Sequence, residues 1–130
     1  MCRAVIITES NQGPHLQKAI AAADEISAVL SSEGFSKDHR LRSQIGAASE
    51  RVASLIAKGF KQKIDRHFAS YLHLARGSSS ETRTQLRVAR GRGYVTESSR
   101  ISATEKYQEI EKMLRGLIRR LNDDDWKERR

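Results

Sequence analysis

Cysteine is nearly absent from this sequence. The single Cys2 excludes an internal disulfide framework and a multi-cysteine zinc site. One proline and eight glycines in 130 residues leave few turns, which disfavours an all-β fold. Aromatic residues are only 5% of the chain, so the core must be aliphatic and most small β-sandwiches are excluded. No apolar run approaches the roughly 18 residues of a membrane span. The opening ten residues form a short apolar patch without the long hydrophobic region of a signal peptide. A soluble cytoplasmic protein of one domain is expected, since domains commonly run to about 100–150 residues.

Four segments carry helical periodicity. The first runs from Leu16 to Ser32, with Leu16, Ile20, Ala23, Ile26 and Leu30 at three- and four-residue steps. Pro14 precedes it, where a missing N–H costs little, and Gly34 ends it. The second runs from Lys37 to Phe60 on Leu41, Ile45, Ala48, Val52, Leu55 and Ile56, with Ser36 as its expected N-cap. The third, the longest, runs from Asp65 to Arg90 on Phe68, Leu72, Ala75, Ser79, Thr82, Leu86 and Ala89, and Gly91 and Gly93 close it. The fourth runs from Ser102 to Asn122 on Tyr107, Ile110, Leu114, Leu117, Ile118 and Leu121. Ser102 and Glu105 fit a capping box at its start. Short connections favour antiparallel neighbours. The expectation is therefore all-α: an up-down-up-down four-helix bundle, its core over residues 16–121 and its charged tail frayed around Trp126. Tyr94 and Val95, in the longest connection, are placed to pack over the end of the core.

The third helix carries more apolar surface than one face needs. Tyr71, Leu74, Ser78, Gln85 and Val88 form a second arc, roughly 60–100° further round. Either this helix is the most buried of the four, or the arc packs on another copy of the chain. Gly77, Ser78, Ser79 and Ser80 would let a partner helix come close while costing helix propensity.

Charge is equally uneven. The net +8 arises from 24 Lys and Arg against 16 Asp and Glu. Residues 58–92 hold nine of the basic residues (Lys58, Lys61, Lys63, Arg66, Arg76, Arg83, Arg87, Arg90 and Arg92) against Asp65 and Glu81 alone. Arg76, Arg83, Arg87 and Arg90 fall within roughly 60° on one side of the helix. Such a ridge can bind the phosphates of RNA or DNA. No aromatics interleave with it, so base stacking is not indicated. The competing explanations are a solvated edge whose arginine stems cover core atoms, or ion pairs between subunits with Glu105, Glu109 and Glu111.

Catalytic signals are missing. His15, His39, His67 and His73 form no i, i+3 or i, i+4 pair, so no metal or other cofactor is expected. No histidine is placed as a base for Ser78, Ser79 or Ser80. Gly91-Arg-Gly93 lacks the strand and the Lys-Ser/Thr of a phosphate loop. Cys2, isolated near a chain end, is expected to be inert or surface-oxidisable rather than catalytic. A non-enzyme follows.

The run Ala75-Arg-Gly-Ser-x-x-Glu-x-x-x-Gln-Leu86, followed by Gly93-Tyr94-Val95, resembles the signature of the bacterial four-helix bundle proteins. These are the intervening-sequence proteins encoded within insertions in bacterial 23S ribosomal RNA genes. The likeness extends to Leu41-Arg-Ser-Gln-Ile45, to Ile56-Ala-Lys-Gly-Phe60 and to Met113-Leu-Arg-Gly-Leu-Ile118. It implies an antiparallel bundle that assembles into a ring, commonly a homopentamer. A more distant likeness joins the family to the accessory variability determinant of diversity-generating retroelements, a basic ring that binds a reverse transcriptase and nucleic acid. The chain departs from the family in its second helix. The usual Ser-Ile-Pro-x-Asn-Ile-Ala-Glu-Gly is here Arg51-Val-Ala-Ser-Leu-Ile-Ala-Lys-Gly59, without the proline, the asparagine or the glutamate. A proline kink should therefore be absent or weaker, and Lys58 joins the basic cluster. Two functions are expected in order. The first is an RNA- or DNA-associated homo-oligomer; the second is a structural or adaptor oligomer that binds another protein.

Overall fold

A computed structural model describes residues 13–128, with side chains as far as 123. Cys2 and the Trp126 side chain lie outside the described residues. The described chain forms four helices: α1 (Gly13–Leu30), α2 (His39–Phe60), α3 (Asp65–Gly91) and α4 (Glu97–Glu128), with a 3-10 turn at Glu33–Phe35. Each helix packs on its neighbour in sequence, and α4 returns to α1. Cross-helix contacts fix the directions. The rings of His15 and Phe60 lie 6.2 Å apart at one end of α1–α2, and Leu30 packs near Gly46 at the other. Phe60 meets Phe68 at 4.9 Å where α2 turns into α3, while Arg51 pairs with Glu81 further along. Ser79 meets Glu111 and Arg90 meets Glu97 between α3 and α4. Lys18 meets Glu109 and Lys106 meets Glu25 between α4 and α1. All four adjacent pairs run antiparallel, giving the up-down-up-down bundle.

The apolar stripes of α2, α3 and α4 point inward as their spacing requires. Val52, Leu72, Leu86, Tyr107, Leu114 and Leu121 are fully buried. The stripe of α1 is rotated from the expected one. Its buried face is Ala19, Ala22, Ile26 and Leu30, and Ile20 is 48% exposed. Ile26 and Leu30 of the expected stripe are buried and Leu16 packs against the core, while Ala19 and Ala22 take the buried positions in place of Ile20 and Ala23. Phe35, from the 3-10 turn, plugs the bundle end and packs against the tilted ring of Tyr94 at 5.3 Å. The expected packing of Tyr94 and Val95 against the core is present. This plug needs Gly34, because a Cβ there would come within 2.7 Å of the Tyr94 Cα.

Two helix starts differ from expectation. Asp38, not Ser36, caps α2: its Oδ1 accepts the Leu41 N–H at 3.1 Å. Asp65 sits in the first turn of α3, where a negative charge suits the helix N-terminus. The last helix begins at Glu97 and not at Ser102, because Thr96 Oγ1 accepts the Ser99 N–H at 3.1 Å and starts the helix a turn earlier. The Ser102–Glu105 box falls inside it, and its backbone stays helical to Glu128. The third helix ends at Gly91, with Gly93 left-handed at φ 78°.

Asp38 also ties the α3–α4 loop to α2. Its Oδ2 accepts from the Tyr94 hydroxyl at 2.9 Å and from Arg92 Nη1 at 2.8 Å. The Leu41 N–H first, then Tyr94 and Arg92, hold its carboxyl below the ordinary value of 3.8. A depressed folded-state pKa stabilises the fold above the unfolded value, and that contribution is lost as pH falls through the folded one. We therefore expect Asp38→Ala to melt earlier than wild type at pH 7. The difference should shrink below about pH 4 as the wild-type carboxylate protonates. Melting temperatures taken from pH 7 to pH 3 check this; a constant difference would assign the loss to something other than charge.

Candidate functional site

The arginine ridge of α3 faces α4, and the two helices enclose a cleft of about 450 Å³ lined by Arg83, Arg87, Arg90, Arg100, Glu97, Thr104 and Gln108. The register of α4 decides what each cation does. Arg83 is committed within the chain. Its Nε and Nη2 bind the two oxygens of Glu111 at 2.6 and 2.8 Å, a bidentate pair. The Glu111 side chain is 11% exposed and that of Arg83 28%. Glu111 also accepts the buried Ser79 hydroxyl at 2.7 Å. Donating hydrogen bonds to Glu111 raises the Arg83 pKa further, against partial desolvation.

The outer end of the cleft is looser. One oxygen of Glu97 lies 2.5 Å from Arg100 Nε and 3.7 Å from Arg90 Nε, and the side chains of Glu97 and Arg90 are about half exposed. Hydrogen bonding from Arg100 lowers the Glu97 pKa and raises that of Arg100 itself. Glu97 is thus an anion throughout the neutral range. Arg87 makes no ion pair among the described residues, and Thr104 Oγ1 is buried without a hydrogen-bond partner there. Arg115 and Arg119 follow Glu111 at four-residue steps, which carries positive charge along the same side of α4.

The remaining basic candidates do not join this cleft. Lys58, Lys61, Lys63 and Arg66 are exposed at the turn between α2 and α3, at the other end of the bundle. Arg66 and Arg90 are separated by about 36 Å of helix at 1.5 Å per residue. Arg76 lies half-buried between the two groups. Arg92 points to the far side, onto Asp38. The structure adds Arg100, Thr104 and Gln108, which a sequence that places residues 91–101 in a loop cannot assign to a helix face. The T-x-x-S pattern from Thr96 to Ser99 was the available signal.

The second arc of α3 lies on the opposite flank, beside α2. Ser78 is buried within the chain, its carbonyl accepting the Thr82 hydroxyl, so it is not available to a second copy. Helix spacing puts Ser78 nearest the core edge of the arc, which is why it closes over. Tyr71 and Gln85 are half-buried, and Tyr71 packs beside Gly59. Leu74 and Val88 remain open, 58% and 39% exposed. Of the acidic residues of α4 considered as partners between subunits, Glu111 pairs with Arg83 and Glu109 with Lys18 inside one chain.

Among the described residues no three His, Cys, Asp or Glu side chains lie close enough to hold a metal ion. No described helix is long and apolar enough to cross a membrane.

A model of the 23S rRNA-intervening sequence protein family matches residues 14–116. No curated protein matches the chain. Among solved structures, a protein of unknown function from the S23 ribosomal protein family of Bacteroides thetaiotaomicron superposes with a TM-score of 0.73 at 19% identity. The match covers 80% of this chain and 97% of that one. At that identity the likeness concerns the fold.

Proposed function

We propose that this chain, which belongs to the 23S rRNA-intervening sequence protein family, is a non-enzymatic cytoplasmic homo-oligomer that holds RNA or DNA by its phosphate backbone along the α3–α4 cleft. The observation that carries this is the convergence of Arg83, Arg87, Arg90 and Arg100 from two helices on one open cleft, with Glu97 as its only acidic lining residue. Leu74 and Val88 are the apolar contacts offered to a second copy. Five copies are what the resemblance implies. Oligomerisation matters to binding because one cleft offers few phosphate contacts, and linked copies can raise avidity by about 10²–10⁴. Lys58, Lys61, Lys63 and Arg66 give each copy a second basic station.

Mobility-shift titrations of wild type and an Arg87→Ala/Arg90→Ala double variant, at about 50 and 200 mM salt, test the reading where counterion release is steep. Arg83 is left intact because its loss would strand Glu111. Wild type should bind at low salt and weaken by about 10³-fold or more if six or more phosphates are engaged per oligomer. The variant should weaken by about tenfold or more on every sequence tried, since backbone contacts carry no base information. Equal retention by the two proteins, or no wild-type shift at low salt, would return the weight to an adaptor that uses Leu74 and Val88 on another protein.

A further inference from the structure

The geometry points to a discrete seat for a phosphate group, formed by Arg87, Arg90 and Arg100 and occupied in the free protein by the carboxylate of Glu97. Under the reading above, a backbone phosphate displaces Glu97 from it. Four observations converge. A single Glu97 oxygen lies between guanidinium groups from two different helices, hydrogen-bonded to Arg100 at 2.5 Å and ion-paired with Arg90 at 3.7 Å, the position a phosphate oxygen would take between two arginines. That carboxylate is 52% exposed, so it can swing out to water without disturbing the core. Glu111 contrasts with it, buried and bidentate, and stays with Arg83. Arg87 lines the same cleft without an ion pair among the described residues, leaving a further donor for the oxygens that a carboxylate does not supply. The seat also lies at the first turn of α4, where the helix dipole favours a negative charge.

Glu97 is therefore a tethered competitor, and removing its charge should raise affinity. Glu81 is the matched control. It forms an equally exposed pair with Arg51, on the flank of α3 away from the cleft. Fluorescence anisotropy with a labelled duplex at about 50 mM salt compares wild type, Glu97→Gln and Glu81→Gln. Glu97→Gln should bind about threefold or more tightly, the scale of freeing two exposed ion pairs, and Glu81→Gln should match wild type. The salt dependence should steepen for Glu97→Gln by about 0.9 in log–log slope for each phosphate gained. Calorimetric titration with inorganic phosphate probes the seat without the polymer, and Glu97→Gln should again bind more tightly.

Unchanged or weaker duplex binding by Glu97→Gln, or an equal gain by Glu81→Gln, overturns the seat while leaving the backbone-binding reading in place. Tighter phosphate binding by Glu97→Gln with no duplex binding by any protein supports the seat and overturns nucleic acid as its occupant. No binding of either probe by any protein overturns both.

Discussion

Leu86→Asp and Leu72→Asp should each abolish folding. Both leucines are fully buried, and they lie on the one face of α3 that meets the rest of the bundle. Burying an unpaired carboxylate costs several kcal/mol even after relaxation. The lost leucine packing adds to this; truncation of a buried leucine to alanine alone costs about 2–5 kcal/mol. Together these reach the roughly 5–15 kcal/mol that holds a typical domain folded. Leu86→Ala is the companion: it should fold, with the lower stability expected of a cavity. Circular dichroism and thermal melting distinguish the two. A soluble Leu86→Asp protein that melts cooperatively would mean that this stripe does not line the core.

Glu111→Ala should destabilise the bundle by about 2–4 kcal/mol, slightly under the 3–5 typical of breaking a buried pair because Arg83 keeps some contact with water. The substitution leaves the Arg83 guanidinium without its two acceptors and the buried Ser79 hydroxyl without its closest one. Glu111→Gln should cost less, since an amide oxygen still accepts from Ser79. Replacing both members, Arg83→Met with Glu111→Leu, should recover most of the loss, because no stranded charge remains. Denaturant unfolding of the three variants provides the measurement. If the double replacement is no better than Glu111→Ala, the cost lies in helix packing and not in an orphaned cation.

The sequence was most informative where large apolar side chains recur against polar neighbours. Leu41, Ile45 and Val52 in α2, Phe68 to Ala89 in α3, and Tyr107 to Leu121 in α4 all face inward. It misled in part of α1, where alanines occupy both candidate faces and spacing alone does not choose Ala19 and Ala22 over Ile20 and Ala23. Phe35 stood in no periodic run, so its burial depended on the turn that Gly34 permits. The arginine ridge was visible as a spacing. Its division into committed and open cations was not, since that follows from which α4 residue stands opposite each arginine. Arg83 meets Glu111 and Arg90 meets Glu97 only because α3 and α4 run antiparallel from a connection that ends at Thr96.

The seam between α4 and α1 differs from the other three in how it must form. Each of the others joins helices that follow one another in sequence, so short loops close them quickly. This seam waits for the whole chain, and its ion pairs among the described residues are exposed or half-exposed: Lys18 with Glu109, and Lys106 with Glu25. The α1 face it holds is narrow, with alanine at two of its buried positions. Detachment of α1 from a persisting α2–α3–α4 core is therefore the sub-global opening we expect first. Amide hydrogens of α1 should exchange ahead of those of α3, in a partial unfolding that needs no global melting.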